Sequence, residues 1–279
     1  MERLLGIKYD IDDFSIAPDK PYCERIPADT ILLRYHQTDD SVTEGKLPLF
    51  NISDTVNSNN TDICTIISAH AELDVRKTLW TKVFCAFKLQ ELKTIYECGE
   101  LDNTISKISK NYHKLIHVYV DIYEYDTETI ELLKEIKDKY GNNIVIMIGP
   151  VKSPKVFTEW LTTDCADYII LSSRADNIIN YPAGSLIYEC DKLRKEYNSK
   201  VKIIADCGSS NSYWYVIKAL ALGADFYMMR GFAQAMQITI DSWISDFQSI
   251  FKSALSSTGC GDIREFIGEP ELICRPHKC

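Results

Sequence analysis

From residue 47 onward the chain alternates short apolar runs with amphipathic stretches. The apolar runs are LPLFNIS (47–53), ICTIIS (63–68), KVFCAF (82–87), LIHVYVD (115–121), NIVIMIG (143–149), DYIILSS (167–173), VKIIADCG (201–208) and DFYMMRG (225–231). Each is short, almost continuously apolar and rich in β-branched or aromatic side chains, as a strand buried on both faces should be. Between them apolar positions recur at helical spacing. Thr127–Lys139 predicts a helix with Thr127 as its N-cap, and Ser153–Thr162 one with Pro154 at the first helical position. Gly184–Tyr197 and Asn211–Leu222 predict two more, the second closed by Gly223. Asp241–Ser253 sets Trp243, Ile244, Phe247, Ile250 and Phe251 on one face, which fits a closing outer helix.

Eight strands in regular alternation with helices predict an α/β fold, a single (β/α)8 TIM barrel rather than a doubly wound sheet. The expected organisation is one domain over residues 1–279. Residues 1–46 would cover the bottom of the barrel or begin as a short hairpin, 47–232 would hold the eight βα units, and 233–279 the closing helix and C-terminal tail. No linker or low-complexity tract interrupts them.

Charge narrows the function classes. Lys plus Arg is 31 against 40 for Asp plus Glu, a net −9 with no basic run, which argues against general nucleic-acid binding. No apolar run is long enough to span a membrane, and the N-terminus has no signal-peptide core. Ten cysteines are scattered with no CxxC pair, so neither a zinc site nor a disulfide scaffold is signalled, and the reading is a reduced, cytoplasmic protein. His113 and His117 lie four apart on the approach to the fourth strand with no third ligand in view, so no metal site is expected.

The active site of such a barrel lies at the C-terminal ends of its strands. This chain places there Asn51, Ser53 and Asp54, then Ser68 and His70, Lys88, Asp121 with Tyr123, and Gly149. The sixth strand adds Ser172, Ser173 and Arg174, the seventh Asp206, Cys207, Gly208 and Ser209, the eighth Arg230 and Gly231. The turn Gly208-Ser209-Ser210-Asn211 would offer backbone N–H groups at a helix N-terminus, and Gly231 would do the same, which suits an anion. Ordinary turn and N-cap chemistry explains the same residues. Tyr213, Trp214 and Tyr215 could stack on a base or pack an outer helix, the commoner use. Tyr123 and Tyr125 at the mouth are better placed for stacking.

The stretch IIADCGSSNSYWYVIKALALGADFYMMRGFAQA (203–235) resembles the IMP dehydrogenase/GMP reductase family, in pattern most closely GMP reductase. That family has a strand ending Asp-Gly-Gly, a helix with KAxxxGAD, and a strand ending Met-Leu-Gly. GIKYDIDDFSIAP (6–18), NISDTV (51–56), NYPAGSLIYECDKL (180–193) and SSTGCGDIREF (256–266) are similar to further segments of the family in the same order. The resemblance implies a TIM barrel binding a purine nucleoside monophosphate. Asp206 would hold the ribose hydroxyls, Gly208 and Gly231 would let backbone approach the phosphate, and Asp121 would face the ribose or the cofactor side. Asp54, Ser172, Ser173, Arg174, Ser209 and Arg230 complete the expected ligand contacts. The resemblance also implies a homo-oligomer, a tetramer.

The pattern breaks where the family does its chemistry. Its thiolate sits in a Gly-Ser-x-Cys-x-Thr loop after the sixth strand and attacks the purine while a nicotinamide carries hydride. Here ILSSRADNIINY (170–181) is shorter and has no Cys, Gly or Thr. ISAHAEL (67–73) has Ala69 in place of a Lys, the flap is reduced to 234–240, and Arg230-Gly231 stands where the family has Gly-Gly. Cys207 is the one nearby thiol, but it belongs to the phosphate end, far from the purine. The first reading is therefore a degenerate site that binds nucleotide without the redox reaction and needs no cofactor. An active, rebuilt enzyme would use NADPH or NADH, with Asp121, Ser172 or Cys207 as catalytic candidates. A third reading is a partner-binding barrel whose pocket is closed by Arg230 pairing with Asp206 or Asp225.

Overall fold

The structure, a computed structural model, describes residues 15–16, 27–31, 33, 47–52, 63–68, 83–108, 116–121, 126–173, 181–207, 212–229 and 240–274. Eight strands form a closed ring: β1 (Leu49–Ile52), β2 (Cys64–Ser68), β3 (Val83–Lys88), β4 (Ile116–Asp121), β5 (Ile144–Val151), β6 (Tyr168–Ser172), β7 (Lys202–Asp206) and β8 (Phe226–Met229). Every neighbouring pair is parallel, and β8 returns to pair with β1 through Leu49 opposite Tyr227 and Phe50 opposite Met228. This is the expected TIM barrel, and each strand lies within the apolar run that predicts it or overshoots it by one or two residues.

Among the described residues, helices follow β3 through β8. They are α1 (Leu89–Glu97), α2 (Leu101–Ile108), α3 (Thr127–Tyr140), α4 (Pro154–Leu161), α5 (Ala183–Glu196), α6 (Tyr213–Ala221) and α7 (Ile240–Thr258). Two details correct the sequence reading. The N-cap of α3 is Asp126, whose carboxylate accepts from the Thr129 amide at 2.8 Å, so Thr127 is already helical. The closing helix α7 runs to Thr258, because Ala254 and Leu255 are buried and continue its apolar face. Ser153 caps α4 ahead of Pro154 as expected.

Inside the ring, Phe50 of β1, Tyr168 of β6 and Phe226 of β8 meet with ring centroids 5.3–6.1 Å apart. Strand β6 neighbours neither β1 nor β8, so these contacts cross the interior, which is packed rather than hollow. Outside, Trp243, Phe247 and Phe251 of α7 continue to Phe266 in an aromatic column with spacings of 5.3–5.6 Å. The early segment forms no hairpin of its own among the described residues. Ser15–Ile16 pairs antiparallel with Ile273–Cys274 instead.

At the strands' N-terminal end an ion cluster ties the wall together. Arg194 of α5 donates to both Asp191 and Asp225 and to the carbonyls of Val201 and Gly223. Asp225, just before β8, also accepts from the Ile203 amide at 2.8 Å. Asp167, just before β6, repeats the device: it accepts from the Ile146 amide at 2.8 Å and from Lys137 of α3 at 3.0 Å. Among the described residues no helix is long and apolar enough to cross a membrane, and no three His, Cys, Asp or Glu residues cluster to hold a metal ion.

Candidate functional site

Because all eight strands run the same way, their C-terminal ends form one rim. Two register rows reach it. Lys88, Asp121 and Gly149 are aligned across β3, β4 and β5, and Ser172 is aligned with Asp206 across β6 and β7. Side chains in a strand alternate between faces. Ser172 lies four residues beyond the interior Tyr168, and Asp206 two beyond Ile204, the partner of the interior Phe226. Both therefore face the barrel interior at its upper end.

There they meet. The Ser172 hydroxyl donates to Asp206 Oδ2 at 3.4 Å. Ser172 is 2% exposed and Asp206 1%, so this carboxylate sits where an uncompensated charge would cost several kcal/mol. The chain reaches the surface one residue later on each strand, at half-buried Ser173 and Cys207. Cys207 packs against the apolar core. Chemically, a carboxylate accepts only, while a hydroxyl both donates and accepts, so the pair is suited to recognising hydroxyl groups.

Gly149 shapes the adjoining rim. Its φ is +144°, and a Cβ there would lie 2.7 Å from Ile170 Cβ and 2.8 Å from the Ile170 carbonyl. The β5–β6 register shifts between Ile148 and Val151, a bulge of the kind that bends a strand at a barrel rim. Lys88 is exposed and is the N-cap of α1, its amide donating to Glu91 Oε2 at 3.4 Å.

Only part of the expected site falls within the described residues. Ser172, Ser173, Asp206 and Cys207 do, and Asp121 is placed at the end of β4. Asp54, Arg174, Gly208, Ser209, Arg230 and Gly231 lie outside them, as do His70, Tyr123, Tyr125 and the flap at 234–239. Helix α6 begins at Tyr213, two residues later than expected, and its N-cap Ser212 makes no side-chain capping bond. Tyr213 packs the outer wall, with its ring 5.0 Å from that of Trp243 and its hydroxyl donating to Asp246 at 3.4 Å. Burial and the Asp246 charge raise the pKa of that hydroxyl.

Asp225 is not at the mouth. It precedes β8, at the opposite end of the barrel from the rim, with Arg194 bound to it. The expected closing of the pocket by Arg230, paired with Asp206 or Asp225, concerns a residue that lies outside the described ones.

No protein-family profile matches the chain, and no curated protein matches it. Among solved structures it is similar to an IMP dehydrogenase/GMP reductase-like protein from Corynebacterium glutamicum, with a TM-score of 0.59 and 15% identity. The likeness covers 97% of this chain and 96% of that one. The two chains share the α/β barrel fold. At this identity the similarity concerns fold alone, and shared chemistry does not follow from it.

In sequence Ser172 and Asp206 stand at the rim separately, with no sign of the bond between them. The available signal is only that each is the last polar residue of a strand and the strands are consecutive. The Arg194 cluster is equally silent in sequence, its clue being the repeated Ala-Asp before a strand, at 166–167 and 224–225.

Proposed function

We propose that this chain binds a purine nucleoside monophosphate at the mouth of its barrel, without the thiolate redox reaction of the family it resembles. The carrying observation is the buried carboxylate of Asp206, bonded to Ser172 at the upper end of the interior. An acceptor-only group in that position suits the ribose hydroxyls. In this reading Asp54, Asp121, Ser173, Arg174, Gly208, Ser209, Arg230 and Gly231 complete the site, the last five serving the phosphate. The likeness in fold to an IMP dehydrogenase/GMP reductase-like protein supports the choice of a purine nucleotide.

The absence of a cysteine from residues 170–181 supports a reading without covalent attack on the base. Cys207 is better explained by packing, given its contact with the core. Nucleotide binding by a single folded unit over 1–279, assembled as a homo-oligomer, completes the proposal. The described rim offers hydroxyls and a carboxylate for a sugar, and the reading assigns the chain no nicotinamide.

The test is thermal unfolding with GMP, IMP, XMP, AMP, their deoxy forms, NADH and NADPH. A ligand at about 100 times its dissociation constant adds about 2.7 kcal/mol. For a chain of this size, at about 2–4 °C per kcal/mol, that raises the melting temperature by about 5–11 °C. A shift with a purine monophosphate is the expected result. No shift with any of them overturns the reading, and a shift with NADPH or NADH alone would favour an active enzyme.

A further inference from the structure

We draw no further inference here: the strongest candidate, the open cleft on the outer wall between α5 and the turn at Pro270–Leu272, lined by Tyr188, Asp191, Lys192, Lys195, Glu196 and Pro270, carries nothing because its charged groups pair with one another, Lys195 with Asp191 and Lys192 with Glu196, and nothing in the structure shows what covers it.

Discussion

Replacing Arg194 by Met should cost this barrel about 3 kcal/mol, at the lower end of the 3–5 kcal/mol typical of a broken buried ion pair. Arg194, Asp191 and Asp225 have side-chain exposures of only 12%, 6% and 5%. Burial opposes the charge on Arg194, but Asp225 and Asp191 outweigh it and raise its pKa. Methionine fills much of the volume and removes every donor. Asp225 would keep the Ile203 amide at 2.8 Å and the more distant Lys202 at 3.8 Å. Asp191 would keep Lys195 at 2.9 Å. Those surviving partners hold the cost to the lower end of the range. At about 2–4 °C per kcal/mol, the melting temperature should fall by about 6–12 °C in calorimetry at neutral pH. Arg194→Lys should recover only part of this, since a point charge cannot reach two carboxylates and two carbonyls together. The double variant Arg194→Met/Asp225→Asn should be less destabilised than the sum of its singles by about 1 kcal/mol or more, because the orphaned charge is gone. A methionine variant melting within about 2 °C of wild type would refute the view that this cluster fastens α5 to the start of β8.

Two further perturbations probe other joints of the wall. Gly223→Ala should be more damaging than an ordinary loop substitution: φ there is +117°, and the new Cβ would lie 2.3 Å from Asp191 Cγ. Strain of about 1–3 kcal/mol adds to the displacement of Asp191 from Arg194, so the urea midpoint should drop by an amount equivalent to at least about 3 kcal/mol with an unchanged slope. An alanine variant as stable as wild type would contradict that contact. Asp126→Ala removes the N-cap of α3 and should cost about 1 kcal/mol at neutral pH. Burial pushes the Asp126 carboxyl up, but its bonds from the Thr129 hydroxyl and amide, with Lys93 nearby, hold it below its usual value. A depressed folded-state pKa gives stability that is complete above the unfolded value of about 3.9 and is lost as pH falls through the folded value. The gap between wild type and variant should therefore be constant from about pH 5 to 7 and shrink in acid. A gap that does not change with pH would point to propensity rather than the charged cap.

The strands were legible because buried parallel strands write themselves as continuous apolar runs, and 167–173 or 143–149 admit little else. Helix ends were less so. Asp126 and Thr127 are both good caps, and only the direction of the Asp126 carboxylate toward the Thr129 amide separates them. Helices α1 and α2 went undelimited because each is short and they are divided by Gly99, at φ +69°, rather than by a strong breaker. At the candidate site the sequence reveals which residues end the strands, since that needs only the boundaries. It does not reveal that Ser172 donates to Asp206, 34 residues away, because that depends on cross-strand register. The Arg194 cluster was hidden for the same reason: Asp191, Arg194 and Asp225 join only once the wall has closed.

The pairing of β1 with β8 has a consequence for how the molecule is made. During synthesis from the N-terminus, Leu49 and Phe50 emerge long before Tyr227 and Met228, the residues that complete their ladder. Until then one flank of β1 is an open edge with its backbone groups available to any other extended segment, including the same segment of a neighbouring nascent chain. Ring closure abolishes that hazard in a single late event, so retention of the chain on the ribosome short of residue 229 should leave it dependent on chaperones, whereas the closed ring of eight strands presents no edge at all.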